Sequence, residues 1–112
     1  MTATVLNLAN GQLPNTKATI YTVPGSTSTI VKMISLANTN TASETVNIYY
    51  LPSGGTARRI CPANYVLTAS GTGAGSYLEI TPNLTMGAGD AIQGSSTDAT
   101  QVDYVISGVQ FT

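Results

Sequence analysis

The sequence contains no histidine, no tryptophan and a single cysteine, Cys61. Zinc sites are built mainly from several histidine and cysteine side chains, so the usual ligands are missing here. Cys61 has no second thiol for an internal disulfide and no imidazole to activate it as a nucleophile. We therefore expect no metal site and no cysteine chemistry, and we interpret Cys61 as a small, partly buried apolar side chain.

Charged residues are also scarce. They make up 8% of the 112 residues, whereas a typical soluble domain has about 25%. The net charge is −1, and the only adjacent basic pair is Arg58-Arg59. Because nucleic-acid binding requires several Lys or Arg contacts to phosphates, we expect no nucleic-acid partner. Low charge also leaves little repulsion between copies, which favours association with neighbouring molecules.

Long apolar runs are absent as well, so we expect no membrane span. The first residues, MTATVLNLANGQL, lack the basic start and the continuous apolar core of a signal peptide, and we expect no export by that route. Hydrophobic residues still make up 42% of the chain, which is enough for the packed core of one domain.

The five carboxylates are dispersed along the chain, at positions 44, 79, 90, 98 and 103. A glycosidase needs two of them facing each other across a cleft, and no spacing places two on one face of one element. The glycine-rich stretches 71–76 and 87–94 lack the lysine of a phosphate-binding loop. We therefore predict that the protein is not an enzyme and has no cofactor, and that Asp90 and Asp98 are solvated or cap turns.

What the sequence does contain is the periodicity of strands, interrupted by turn residues at intervals of about 8–12 residues. No stretch has an apolar stripe at helical spacing. About eight short antiparallel strands in one domain are typical of an all-β sandwich, often a jelly roll, which is the fold class we predict. The predicted strands cover residues 3–9, 18–23, 28–38, 45–52, 57–69 (broken near Pro62), 76–82, 87–96 (a turn, then a strand) and 102–111.

Alternation within these strands predicts which side chains face the core. In residues 45–52 one side carries Val46, Ile48 and Tyr50, and in residues 76–82 Leu78 and Ile80 point inward. In residues 28–38 we expect one side of the strand to carry a row formed by Ile30, Lys32, Ile34 and Leu36. The single charge in this row, on Lys32, should lie near an end of the row or snorkel to solvent.

We divide the chain into residues 1–17, an N-terminal arm or first strand and a possible docking segment, and residues 18–112, the β-sandwich domain. An extended segment can add as a strand to a neighbour's sheet edge, and arginine is favoured at interfaces. The alternatives are that the arm pairs within its own sheet and that the arginines only solvate a loop. The candidate interface residues are Thr2, Thr4, Leu6, Leu8, Arg58 and Arg59.

The six tyrosines, at positions 21, 49, 50, 65, 77 and 104, leave a carbohydrate-binding module as a further alternative. Tyrosines gathered in one groove would provide stacking surfaces for sugar rings. Tyrosine is equally common in strands and at protein interfaces, so we favour packing and subunit contacts for these residues.

Five short motifs occur in a recognisable order: IYTVP (20–24), IVKMISLANT (30–39), SGGT (53–56), GAGDAI (87–92) and SGV (107–109). Together they resemble the small β-sandwich structural proteins of tailed bacteriophages, over residues 18–112. The resemblance implies a virion component, either a capsid decoration (cement) protein that stabilises the capsid lattice or a tail-, fibre- or baseplate-associated protein.

The same resemblance implies partners and a location. The expected partners are the protein itself, as a homo-oligomer for which a trimer is expected, and the phage major capsid protein, with tail proteins as the alternative. A protein of this kind is made in the host bacterial cytoplasm and ends in the virion, with the capsid surface as the first expectation.

Overall fold

The computed structural model describes all 112 residues, which form strands and one short turn of 3-10 helix. No helix has the length and apolar character needed to cross a membrane. The ten strands are β1 (Ala3–Gln12), β2 (Ala18–Thr22), β3 (Ser28–Asn38), β4 (Glu44–Leu51), β5 (Arg58–Arg59), β6 (Tyr65–Leu67), β7 (Tyr77–Ile80), β8 (Leu84–Met86), β9 (Ala91–Ser96) and β10 (Val102–Phe111).

The strands form two five-stranded antiparallel sheets. Sheet A has the order β1, β10, β3, β7, with β8 also paired to β3, and sheet B has the order β2, β9, β4, β5, with β6 also paired to β4. Each sheet therefore has four positions, and two short strands share the last one. Eight positions in two facing sheets with this order form a jelly roll, which confirms the predicted fold class.

The two extra strands come from interruptions. Pro62 lies between β5 and β6, as the sequence predicted. The sequence did not predict β8, which is separated from β7 by Pro82 and by Asn83, whose φ of 47° lies in the left-handed region. The count of about eight thus describes the positions in the sandwich, while ten segments fill them.

The core lies between the sheets and is formed by alternate residues of the long strands. The predicted inward positions of β4 and β7 are confirmed: Val46 and Ile48 are fully buried, and Tyr50, Leu78 and Ile80 pack against the core. The fully buried apolar side chains are Leu13, Val31, Ile34, Leu36, Val46, Ile48, Leu67, Met86, Ile92, Val102 and Ile106.

A β-bulge in β3 makes one predicted face wrong. The register with β10 moves from Met33 opposite Ser107 to Val31 opposite Gly108, which leaves Lys32 as the extra residue. An extra residue reverses the alternation beyond it. Ile34 and Leu36 face the core, but on the other side of the bulge the buried residues are Val31 and Thr29. Ile30 therefore belongs to the outer face, and the predicted single row of Ile30, Ile34 and Leu36 is wrong.

Gly108 is the partner of this bulge and sits where the two backbones approach closely. A Cβ atom at Gly108 would lie 2.0 Å from the carbonyl oxygen of Ile30 and 3.1 Å from a methyl carbon of Leu8. No side chain fits in that space, which gives a physical reason for glycine in the SGV motif.

Candidate interaction surface

The predicted interface residues of the N-terminal segment all lie on or next to β1, which forms one edge of sheet A. Thr2 is exposed and exchanges both backbone hydrogen bonds with Thr112, each with a nitrogen–oxygen distance of 2.9 Å. Thr4 pairs with Gln110 and Leu6 with Gly108, so both lie on the inner side of the sheet. Leu8 is half-buried and packs against the core.

The two predicted arginines, Arg58 and Arg59, form β5 and are both exposed. They belong to sheet B, at the end of its strand order opposite to β2, whereas β1 is an edge of sheet A. The structure therefore does not bring the two groups of predicted residues together. It places them on different sheets, where each can contact a different neighbour.

Arg59 is part of a basic corner on the outer face of sheet B, formed by Lys17, Tyr49 and Arg59, whereas Arg58 pairs with Tyr50 and lies on the other side of β5. The Lys17 ammonium lies 4.7 Å from the centre of the Tyr49 ring, and the Arg59 guanidinium lies 5.0 Å from it. The Arg59 guanidinium also donates to the side-chain oxygen of Asn47. Two cations held against one aromatic ring give this corner a fixed positive surface.

Sheet A carries an exposed apolar patch that the sequence did not reveal. In register across three strands, Val5 of β1 lies beside Val109 of β10, which lies beside Ile30 of β3. The neighbouring row places Ala3 beside Phe111. We call these five residues the apolar patch. Val5 is 84% exposed, which makes it the most exposed large apolar side chain after Met1.

An open hollow adjoins the apolar patch at the end of the sandwich. Its volume is about 600 Å³, and it is lined by Met1, Ser26, Thr27, Ser28, Ala88, Phe111 and Thr112. The lining contains no charged side chain. The patch and the hollow together form a largely apolar surface without charged side chains, next to both ends of the chain.

Asp90 caps a turn, as predicted. One carboxylate oxygen accepts hydrogen bonds from the Tyr50 hydroxyl at 2.8 Å and the Gly87 N–H at 3.0 Å, and the other accepts from the Ser53 N–H at 2.8 Å. These bonds, led by the one from Ser53, lower the pKa of Asp90. The carboxylate thus joins the SGGT loop to the GAGDAI turn.

Two carboxyl groups that are distant in the sequence come together in the fold. Glu44 is buried, and its oxygens accept from the Asp98 N–H and the Asn40 amide, each at 2.9 Å. Burial acts to raise the pKa of Glu44, but these hydrogen bonds outweigh it and leave the pKa below its ordinary value. The hydrogen bond and charge of Glu44 raise the pKa of the exposed Asp98.

This pair has the geometry of a structural contact. The Glu44 oxygens are occupied by protein donors, and no open cleft lies between the two residues. No group of three or more carboxylate or cysteine side chains is arranged to hold a metal ion. Cys61 is half-buried against the core, and burial raises the pKa of its thiol, in agreement with its interpretation as an apolar side chain.

The tyrosines are distributed over the molecule. Tyr21 and Tyr104 are buried in the core, and Tyr50 is bonded to Asp90. The most exposed two, Tyr65 and Tyr77, belong to different sheets. This arrangement agrees with packing roles for most of these residues.

No protein-family model and no curated protein sequence matches this chain. Among solved structures, a chain of the acidic stable capsid of Helicobacter pylori bacteriophage KHP30 is 13% identical, with 99% of this chain and 94% of that chain covered and a TM-score of 0.53.

Two further similar structures are larger proteins. A pentameric capsid protein isolated from metagenomic phage sequences is 23% identical over 93% of this chain and 61% of that chain, with a TM-score of 0.40. A chain of infectious bursal disease virus, Gt strain, is 12% identical over 97% of this chain and 32% of that chain, with a TM-score of 0.46. At these identities similarity establishes the fold alone, and here it is the KHP30 comparison that supports the jelly roll.

Proposed function

We propose that this chain is a non-enzymatic structural protein of a bacteriophage virion, which binds the capsid surface as a homo-oligomer and stabilises the lattice. The observation that carries the proposal is the fold similarity to a chain of the KHP30 phage capsid, which covers 99% of this chain and 94% of that chain. The similarity of fold therefore extends over nearly the whole of both chains. The order of the sequence motifs, which resembles phage structural proteins, points to the same class.

The surface chemistry supports this role. A decoration protein stands at high local density on a lattice, where strong charge of one sign would repel neighbouring copies. Here charged residues make up 8% of the chain and the net charge is −1. Two of the five acids, Glu44 and Asp90, are further held by internal hydrogen bonds. The remaining polar surface is mostly neutral, which favours close packing.

A decoration protein also needs two kinds of contact, one with the shell and one with its own copies. The basic corner on sheet B and the apolar patch on sheet A are separate surfaces of different chemistry. We assign the basic corner to the shell, because an exposed cationic surface fits an acidic partner. The apolar patch and the β1 edge then remain for contacts between copies.

The first test is the copy number of the protein in purified virions, measured by quantitative mass spectrometry against the major capsid protein. A count equal to that of the capsid protein, or a simple fraction of it, is the expected result. A count of a few per cent or less would move the protein to a tail, fibre or baseplate position. Absence from virions would overturn both assignments and return attention to carbohydrate binding.

The shell contact has its own test. Arg59→Glu reverses one charge of the basic corner, and Lys32→Glu reverses an exposed charge at the bulge of β3 in sheet A. Both variants are mixed with capsids that lack the protein, and the bound fraction is measured by sedimentation at low and high salt. We expect Arg59→Glu to weaken binding and Lys32→Glu to leave it unchanged. Equal binding of both variants would contradict the assignment of the basic corner.

A further inference from the structure

The sandwich has four sheet edges, and three of them are protected against pairing with another strand. β2 has five residues and lies between Lys17 and Pro24. The opposite edge of sheet B is shared by β5, which consists of two arginines, and β6, which has three residues. The opposite edge of sheet A is shared by β7, which has four residues including Glu79, and β8, which has three. Short strands, charged side chains and prolines are common devices that keep sheet edges from associating.

β1 is the fourth edge, and it lacks these devices. It has ten residues, with no charged side chain and no proline. Its one irregularity is a β-bulge between Asn7 and Ala9, which leaves residues 3–7 as a regular segment. Val5, at the centre of that segment, is 84% exposed. A long, neutral edge of this kind is a template for another strand.

The backbone of this segment points its free groups outward. Thr2 and Thr112 exchange both hydrogen bonds across the β1–β10 pair. In antiparallel strands such hydrogen-bonded residues alternate with residues whose N–H and C=O point the other way. The next residues bonded to β10 are therefore Thr4 and Leu6, and the free N–H and C=O groups at the open edge belong to Ala3, Val5 and Asn7.

We propose that two copies of this chain pair β1 against β1 in antiparallel orientation, about a twofold axis at Val5, so that their two A sheets become one continuous sheet. In this register Val5 lies opposite its own counterpart, and Ala3 lies opposite Asn7 of the second copy. All three positions present free backbone groups, so each pair exchanges two hydrogen bonds. No like charges meet, because the segment has none.

A second copy fits this edge better than any other strand that the structure provides. A twofold contact needs a self-complementary surface, and residues 3–7 meet this requirement. Pairing of β1 with another edge of a neighbouring copy would bring its ten residues against strands of at most five residues, beside Lys17, Glu79 or the two arginines of β5. The row Val5, Val109, Ile30 also continues across the axis, so the apolar patches of the two copies become one stripe.

The experiment measures the mass of the purified protein by light scattering and sedimentation over roughly 10 µM to 1 mM, a range that brackets weak association. Val5→Pro removes an outward N–H without breaking a bond to β10. Val5→Lys adds a charge to the same position, in case the proline variant does not fold. The matched control is Val66→Lys, because Val66 is 55% exposed and lies on β6 in the other sheet.

We expect the native protein to form dimers with rising concentration. Both Val5 variants should weaken the dimer at least tenfold, with circular dichroism unchanged, and Val66→Lys should dimerise normally. A native protein that is monomeric at 1 mM, or that forms trimers or pentamers, would overturn the twofold pairing. An equal loss of dimer affinity in Val66→Lys would also overturn the twofold pairing.

This inference deepens the self-association part of the proposed function and does not require the capsid part. A capsid-like copy number in virions together with a monomer in solution would remove only the β1 pairing. A Val5-dependent dimer that is absent from virions would remove only the capsid role. If a monomeric protein binds capsids and loses that binding in Val5→Lys, the edge belongs to a strand of the shell protein, and pairing between copies is refuted.

Discussion

Replacement of Gly108 by alanine tests the bulge that fixes the register of the two central strands of sheet A. The added Cβ would lie 2.0 Å from the carbonyl oxygen of Ile30. Close carbon–oxygen contacts in sheets are about 3.3 Å long, so β3 and β10 must separate locally by roughly 1.3 Å. The oxygen belongs to the backbone, so no side-chain rotation can relieve the clash.

The cost follows from what that separation breaks. Backbone hydrogen bonds tolerate donor–acceptor distances of about 2.7–3.2 Å, so the nearest one or two bonds of the ladder are lost at about 1 kcal/mol each. Strain from overpacking adds about 1–3 kcal/mol. We therefore expect Gly108→Ala to lower the free energy of unfolding by about 3 kcal/mol, a large part of the 5–15 kcal/mol typical of a domain.

The assay is urea denaturation followed by far-ultraviolet circular dichroism, supported by thermal unfolding, where we expect a decrease of about 10 °C in Tm. The matched control is Gly25→Ala. A Cβ at Gly25 meets no atom within 4 Å, and its φ is not in the left-handed region. The control should stay within about 0.5 kcal/mol of the native protein. If Gly108→Ala is as stable as Gly25→Ala, the close approach at the bulge does not exist in solution.

Three further substitutions test single contacts. Asp98→Asn should raise the urea midpoint at pH 7 and have little effect at pH 3. Glu44 raises the pKa of Asp98 in the folded protein, so ionisation of Asp98 lowers stability as pH rises, and asparagine does not ionise. Asp90→Asn should lower the free energy of unfolding by on the order of 1 kcal/mol at pH 7. The difference should shrink as pH falls below about 4, because the hydrogen bonds that lower the pKa of Asp90 in the folded protein stabilise only its charged form. Thr100→Asn should stabilise the fold by about 0.5–1 kcal/mol, since Thr100 has a φ of 63° and asparagine tolerates that region better.

Each of these substitutions has an outcome that refutes its reasoning. A pH-independent effect of Asp98→Asn would show that Glu44 does not raise the pKa of Asp98. An Asp90→Asn difference that grows at acidic pH would reverse the assigned sign. Thr41→Asn is the control for Thr100→Asn, because Thr41 is exposed and has no positive φ. Equal effects at the two positions would show that backbone conformation is not the cause.

The alternation of the long strands was sufficient to predict the fold class. In β4, Val46, Ile48 and Tyr50 face inward because nothing interrupts the period of two. In β3 the same reasoning failed at Lys32, because a bulge depends on the partner strand, and nothing within residues 28–38 shows that Gly108 will lie opposite. β8 was missed because three residues between a proline and a glycine carry too little periodicity.

The candidate surface was harder to predict than the fold. The sequence indicated the N-terminal segment as a candidate interface. Which of its side chains face outward depends on the register with β10, and this register makes Val5 the exposed residue. The approach of Asp98 to Glu44 joins residues that are 54 positions apart, which no local pattern encodes. Arg58 and Arg59 were identified from their adjacency in the sequence, whereas the position of Arg59 beside Tyr49 and Lys17 depends on the pairing of β4 with β5.

The pairing of Ala3 with Phe111 has a consequence for how the protein is made. β10 lies between β1 and β3, so sheet A cannot close until residues 102–111 have left the ribosome. Such distant pairings place the folding time on the order of milliseconds to seconds. A chain cut short by premature termination lacks the strand that holds β1 in place. Only copies that contain β10 can therefore offer the β1 edge in the form that the proposed pairing requires.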